Sequence, residues 1–334
     1  MADDSLPLVT DFAVVIPTFR RPAFLADAVS SVLAQRHPPH EVVVVADGPE
    51  TIVPDEVRDA PVRIVQQPHG GEAVARNTGV AATSAPWVCF LDDDDLWHPD
   101  RLTRAADHLA ADPECRALTM PSWRFGAEPG DGIELIASDL ASCLEAADRT
   151  EPSIDMSYLD ITGRSYELLL ERNRGNISGA TVRRDILEEA GGFPAGYTCA
   201  ADWVMFINVA RYAEWCYLDE RLSFVRIHSG TNTRTNATNG LVTLRAIRGV
   251  WNDVTRPVPT HRPLADYGEN YRWTVQDAIW SALRRRRFDL AGPVLKEGMA
   301  LLPRTRDKAY ALLPPPLTWR VEHWDGRRSP ALSG

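Results

Sequence analysis

Long hydrophobic runs are missing from this chain. Among its 334 residues none approaches the roughly 18–20 consecutive apolar positions that a membrane-spanning helix needs. The first ten residues carry Asp3 and Asp4 and no apolar segment, so no signal peptide is legible there. Cysteine is scarce and scattered: Cys89, Cys115, Cys143, Cys199 and Cys216 include no CxxC pair, which gives no metal-finger signal and fits a reduced, cytosolic protein. Positive charge is in deficit as well. With 36 basic and 46 acidic residues the formal net charge is −10, whereas nucleic-acid and anionic-membrane partners call for a basic footprint. The expectation is a cytoplasmic protein without a transmembrane segment or a nucleic-acid partner. It has apolar residues enough for one large domain, or one domain and an appendage.

What the chain does have is a dense acidic run. Asp92, Asp93, Asp94 and Asp95 directly follow Trp87-Val88-Cys89-Phe90-Leu91, which reads as a buried strand. Like charges packed so closely repel, and a fold needs compensation to hold them at a strand end. A hard divalent cation supplies it, taking oxygen ligands and keeping positions open for phosphate. The plainer reading is an acidic turn in which Asp95 caps a helix from Trp97 to Ala110. One Asp suffices for a cap, so the metal reading is preferred.

Around this run, strand and helix signals alternate. Strands are expected at Phe12–Ile16, ended by Pro17; at Glu41–Ala46, closed by Asp47-Gly48-Pro49; at Val62–Val65; and at Trp87–Leu91. Helices are expected at Pro22–Gln35, with a stripe of Phe24, Leu25, Ala28, Val29, Val32 and Leu33, and at Glu72–Ala82 behind Gly70-Gly71. Such alternation predicts an α/β fold with a mostly parallel sheet between helices. Ligands of these sheets bind beyond the strands' carboxyl ends, where Pro17-Thr18-Phe19, Asp47-Gly48 and Asp92–Asp95 converge. Residues 128–160 read as a variable, partly helical insertion. Helices follow at Arg184–Ala190 and Asp202–Ala213, then a strand at Leu218–Ile227 ending at His228, and a loop or lid over 229–239. Past about residue 240 the composition changes. Tyr271–Arg287 is a helix with one buried stripe; Arg284–Arg287 reads as a solvated face. Pro314-Pro315-Pro316 with Trp319 and Trp324 reads as an extended tail packed across the main domain.

Taken in order, Val15-Ile16-Pro17-Thr18-Phe19, Val44-Val45-Ala46-Asp47-Gly48, Ala75-Arg76-Asn77 with Gly79, Phe90–Asp95 with Trp97 and Pro99, Gly191-Gly192-Phe193, Asp202-Trp203 and His228 resemble a family 2 glycosyltransferase. The resemblance covers roughly residues 12–235 and implies the GT-A nucleotide-diphospho-sugar transferase fold. A nucleotide half would span about 12–120, an acceptor half about 121–235, and a helical C-terminal extension 236–334. It implies that Pro17, Thr18 and Phe19 hold uracil and ribose, and that Asp47 accepts a hydrogen bond from the uracil N–H. Ala46 stands where many relatives have a second Asp. Arg76 would face the diphosphate, for which a planar guanidinium is suited. Asp94 would ligate a divalent cation, Mn²⁺ or Mg²⁺, with Asp92 and Asp93 on ribose, metal or metal-bound water and His228 completing the shell. Asn176 would lie near the donor sugar. Asp202 would be the general base, with Ala201 where relatives carry Glu. Its place at a helix start leads us to expect a lowered pKa. The implied reaction is inverting transfer from a nucleotide-diphosphate sugar, a UDP-sugar first, to a glycan, natural product or peptide.

Two other readings stay open. A sugar-phosphate nucleotidyltransferase also binds Mg²⁺ on a related fold, but its first loop is usually glycine-rich and Pro17–Pro22 contains none. A catalytically weak nucleotide-sugar binding protein is kept in view by the missing Glu at position 201. The sequence does not choose the sugar, the acceptor, or between monomer and homodimer.

Overall fold

Phe12–Thr18 is buried at every position, as a strand covered on both faces must be. The computed structural model describes residues 11–130, 132–151, 160–228, 237–253 and 257–314. They fall into two compact units, Met1–Thr231 and Asn232–Gly334. The first runs β1 (Phe12–Thr18), α1 (Pro22–Leu33), β2 (Glu41–Asp47), α2 (Asp55–Arg58), β3 (Arg63–Gln67), α3 (Glu72–Ala81), β4 (Trp87–Phe90), β5 (Leu96–Trp97), α4 (Arg101–Ala111), β6 (Ala117–Thr119), β7 (Trp123–Gly126), β8 (Leu135–Ile136), α5 (Leu140–Ala147), α6 (Ser165–Glu171), β9 (Thr181–Arg183), α7 (Arg184–Glu189), α8 (Ala201–Val209), β10 (Trp215–Tyr217) and β11 (Ser223–Arg226).

Seven strands form one sheet in the order β10-β6-β9-β4-β1-β2-β3. All are parallel except β9, which runs antiparallel to both β4 and β6. A smaller sheet, β5-β11-β7-β8, follows the acidic run. One face of the large sheet packs Val14, Ile16, Val42 and Val44 against Leu25, Val29 and Val32 of α1 and Leu102 and Leu109 of α4. On the other face Val43 and Val45 meet Ala75 of α3.

The first three strands and two helices lie where periodicity placed them, and the departures have physical reasons. Pro17 does not end β1; it pairs with Val45 of β2. The Val15 carbonyl accepts from Leu91 N–H, so the proline nitrogen two residues on faces the same side. The β4 ladder has already stopped there, so the missing N–H deprives no partner. The expected helix from Trp97 starts at Arg101 instead, with Asp100 at the N-cap position. Leu96 and Trp97 extend and pair with β11, so Asp95 caps nothing. The Arg101 guanidinium lies over the Trp97 ring at 4.3 Å and donates to Ala180 O and Thr181 Oγ1, which fixes the α4 entry. The strand expected over Leu218–Ile227 is confined to Ser223–Arg226, and the helix expected over Asp202–Ala213 is Ala201–Val209. In the 128–160 segment, α5 begins at a reciprocal capping box of Asp139 and Ser142; residues 131 and 152–159 lie outside the described residues.

The second unit is helical: α9 (Ala237–Asn252), α10 (Leu264–Tyr267), α11 (Arg272–Arg284), α12 (Phe288–Leu301) and α13 (Thr305–Leu312). Val275, Ala278, Ile279 and Ala282 of α11 are buried, and Arg284–Arg287 are exposed as a solvated face should be. Most of the expected 229–239 loop and the tail carrying Trp319 and Trp324 lie outside the described residues. No described helix is long and apolar enough to cross a membrane.

Helix α3 sits on β1 through Gly79, where an added Cβ would come 2.2 Å from Val15 Cγ1. Helix propensity favours Gly79→Ala by about 1 kcal/mol, while overpacking of a filled core costs about 1–3 kcal/mol. We expect the clash to win, with a net loss of about 1–2 kcal/mol in urea denaturation. A variant more stable than its parent would show that this contact yields freely.

Candidate active site

Strands β1 and β4 are neighbours in the sheet, and their carboxyl ends bring two loops together. Thr18 Oγ1 donates to Asp93 Oδ2 at 2.7 Å and Phe19 N–H to the same oxygen at 3.3 Å. The Arg21 guanidinium reaches Asp93 Oδ1 at 3.0 Å and Asp94 Oδ2 at 2.6 Å. Arg76, on α3 and fully buried, donates to Asp92 Oδ1 at 2.6 Å and to Glu72 one turn earlier. Asp95 accepts from Ser178 Oγ at 2.6 Å and from Arg226 N–H at 3.0 Å. His228, just past β11, brings Nε2 to 3.0 Å from Asp94 Oδ2. Asp92, Asp94 and Asp95 each present an oxygen, all within 4.8 Å of one another.

This crowding shows in the proton affinities. Burial, with Glu72 and Asp94 nearby, pushes the Asp92 carboxyl up to about 7 although Arg76 pulls it down. Burial and Asp94 raise Asp93 to about 6 against the pull of Arg21. Asp95 is held well above the usual carboxylate range by burial and by the Asp94 and Asp92 charges.

Asp202 lies in the first turn of α8, close enough to feel the charges of Arg76 and Glu72. Its pKa is raised, which corrects the lowered value expected from a helix start. Burial outweighs Arg76 and the donors from Trp203 N–H and Asn173. Nor is it the N-cap; that position is Ala200, in left-handed backbone with φ 63°.

Asp47 is buried and more heavily bonded than a lone reader of a base N–H would be. Its Oδ1 accepts from Gln67 Nε2 at 2.8 Å and Gly70 N–H at 2.7 Å. Its Oδ2 takes Gly71 N–H and His69 Nδ1, both at 2.9 Å. Burial raises its pKa, and these donors more than offset it and hold the carboxyl below its usual range. Gly71, at φ 85°, makes the turn that aims two of these amides. His69 is the exposed donor of the four, and its ring stacks on Phe19 at 4.4 Å and 25°.

Asn176 is engaged in structure. Its Oδ1 caps the 3₁₀ turn Ile177–Gly179 by accepting from Ser178 N–H, and its Nδ2 donates to Ser122 Oγ. Ser178 in turn donates to Asp95 of the cluster. Asn77 exchanges two hydrogen bonds with the Phe193 backbone, which ties the Arg76-Asn77 pair to the Gly191-Gly192-Phe193 turn.

The structure thus gathers Thr18, Phe19, Arg76, Asp92, Asp93, Asp94, Asp202 and His228 around one cluster, with Pro17 buried behind in β1 and Asp47 one strand away. Sequence reasoning passed over Arg21, Glu72, His69, Ser178 and Arg226. A basic pair after the first strand of an acidic chain was a signal for Arg21, and the Glu72–Arg76 spacing was one for Glu72. Ser178 and Arg226 arrive from distant sequence and had none.

This is the architecture of a GT-A glycosyltransferase. Residues 13–123 match Glycosyl transferase family 2. An uncharacterized glycosyltransferase of Rickettsia felis is 25% identical over 67% of this chain and 34% of its own length. One of Nostoc sp. is 26% identical over 66% of each. The succinoglycan biosynthesis protein ExoW of Rhizobium meliloti is 34% identical over 30% of this chain and 35% of its own. The chain therefore spans between about a third and two thirds of these relatives. Among solved structures, S. aureus TarS 1-349 in complex with UDP-GlcNAc superposes with a TM-score of 0.60 at 14% identity, over 95% of this chain and 93% of that one. The mannosyltransferase PcManGT from Pyrobaculum calidifontis, in complex with GDP-Man and Mn²⁺, gives 0.54 at 19% identity, over 97% and 91%.

The raised carboxylates make stability depend on pH. In the fold, Asp92 and Asp93 keep protons that an unfolded chain releases near 3.8. Their favourable contribution is therefore present in acid and is lost as pH rises toward about 7. In chelator, Asp92→Asn should gain stability relative to its parent from about pH 5 to about pH 8, by on the order of 1 kcal/mol. A difference that does not change with pH in thermal melts would contradict the assigned electrostatics.

Proposed function

We propose that the protein is a metal-dependent, inverting glycosyltransferase that moves a sugar from a UDP-sugar to a nucleophile on an acceptor. The observation that carries this reading is the placement of Arg76 between Asp92 of the buried carboxylate cluster and Asp202 of α8, at the carboxyl ends of β1 and β4. The family match supports a transferase over a nucleotidyltransferase.

The donor set suits a hard cation. Asp95 is engaged by Ser178 and Arg226, so it anchors the loop, while Asp92 and Asp94, with His228, would hold Mn²⁺ or Mg²⁺. Such an ion supplies neutralisation of the charge that grows on the departing diphosphate. Arg76 adds a fixed guanidinium on the same side, oriented in advance by Glu72 and Asp92. Arg21 can exchange Asp94 for a phosphate oxygen, which releases Asp94 as a ligand. Asp202 accepts the acceptor's proton as the acceptor oxygen bonds to the anomeric carbon and the bond from that carbon to the diphosphate oxygen breaks. Its raised pKa makes it a stronger base than a solvated Asp.

The base is assigned by Phe19, His69 and Asp47. The imidazole already lies on an aromatic face and bonds a carboxylate, as a nucleobase would. Displacing it frees one acceptor position on Oδ2, which keeps Gly71 N–H, while Oδ1 stays with Gly70 and Gln67. Uracil has one ring N–H to offer; guanine's edge has two donors. The fold does not decide this, since its neighbours carry UDP-GlcNAc in one case and GDP-Man in the other. The acceptor, a glycan, natural product or peptide, is assigned to the half about 121–235 that carries Asp202. Cys89, Cys115, Cys143 and Cys216 carry free thiols, which accords with a reducing compartment such as the cytoplasm.

Asp202→Asn should fold, keep its donor affinity and lose about 10²-fold or more in transfer; near-normal transfer would make Asp202 structural. Asp94→Ala should abolish both nucleotide release and the thermal shift induced by Mn²⁺, and undiminished turnover in chelator would refute the metal assignment. In calorimetry UDP should bind more tightly than CDP or GDP, and a preference for either of those would overturn the base assignment.

A further inference from the structure

Away from the carboxylates, at the β10–β6 edge of the large sheet, a different set of donors converges. His108 lies in the last turn of α4, Cys115 in the turn before β6, and Cys216 in β10. One ligand atom from each falls within 4.8 Å of the others. His108 Nε2 is buried and has no hydrogen-bond partner. Cys115 is buried, with Sγ 3.5 Å from Ala117 O. Asp112, between the two elements, brings Oδ2 to 3.8 Å from Cys216 Sγ while its Oδ1 accepts from Glu114 N–H.

We propose that His108, Cys115 and Cys216, with Asp112 as the fourth donor, form a tetrahedral zinc site. Two thiolates and an imidazole are a borderline-soft set that selects zinc over Mg²⁺ or Ca²⁺. Bonds of about 2.3 Å to sulfur and about 2.0–2.1 Å to nitrogen set ligand atoms roughly 3.5–3.8 Å apart, inside the 4.8 Å within which the three donors already lie. Binding Zn²⁺ releases the two thiol protons to solvent and gives the buried Nε2 the partner it lacks. A disulfide between Cys115 and Cys216 would use both sulfurs but leave His108 unsatisfied, so the metal accounts for more of the site. The ion would join the end of α4, the entry to β6 and the edge strand β10. It is a structural staple, distinct from the carboxylate cluster and independent of the proposed reaction. The spacing of these residues along the chain matches no metal-finger pattern, because sheet pairing rather than a local loop assembles them.

The test uses the full chain purified in reductant without chelator. Wild type and Asp94→Ala should each retain about one zinc per chain after dialysis; Cys216→Ser should retain none, and His108→Gln should bind zinc more weakly. After exchange, Co²⁺ should give thiolate-to-metal charge transfer in the near ultraviolet and strong tetrahedral bands in the visible, both absent from Cys216→Ser. If Cys216→Ser does not fold, alkylation of wild type read by mass spectrometry serves instead: added Zn²⁺ should protect Cys115 and Cys216 but not Cys199. A Co²⁺ spectrum without charge transfer, zinc retained in Cys216→Ser, or equal alkylation with and without Zn²⁺ would overturn the proposal.

Discussion

Four carboxylates at the end of one buried strand are the constraint around which the first unit is arranged. Each is answered from a different part of the chain. Arg76 rises from α3 to Asp92, Thr18 and Arg21 reach Asp93 from the end of β1, and β11 with the Ser178 turn closes on Asp95. Asp94 has Arg21 and His228. The small sheet exists for the same reason: by extending instead of starting a helix, Leu96 and Trp97 pair with β11 and bring Arg226 to the cluster. Charge compensation and sheet topology are here one problem.

The N-terminal third was legible because its signals are local. Buried parallel strands of β-branched residues and amphipathic helices announce themselves over a few residues, and β1, β2, α1 and α3 lie close to where the sequence put them. The three-residue strands β6, β9 and β10 were missed, since segments so short carry no period. Trp97–Ala110 was misread because a stripe of apolar residues continues across a change from strand to helix, and the discriminating interaction, Arg101 with Ala180 and Thr181, comes from some 80 residues away. The site divides likewise. Residue types at strand ends could be named, but protonation could not. Asp202 was expected to be acidified by a helix terminus, and burial reversed the sign.

Asp47 shows how a motif can be right in place and incomplete in meaning. Its carboxylate organises the Gly70-Gly71 turn that launches α3, and α3 carries Arg76. The side chain assigned to the base therefore also sets the residue assigned to the diphosphate, and a substitution there would disturb both ends of a donor at once. Asn77 plays a comparable part on the far side, tying Arg76's helix to the turn at Phe193.

The antiparallel strand β9 has a consequence for how the chain is made. It lies between β4 and β6, although it follows both in sequence. During synthesis β4 can pair with β1, but its other edge and β6 have no partner, and the sheet remains split until Thr181–Arg183 has left the ribosome. At about 5–20 residues per second the gap between β6 and β9 lasts several seconds, with the hydrophobic edge of β4 uncovered. The Arg101 guanidinium, whose acceptors are Ala180 and Thr181, stays hydrated for the same interval. A nascent chain stalled before β9 is thus a candidate client for chaperones that recognise open strand edges, and a fragment ending near residue 120 would lack the strand that closes its own core.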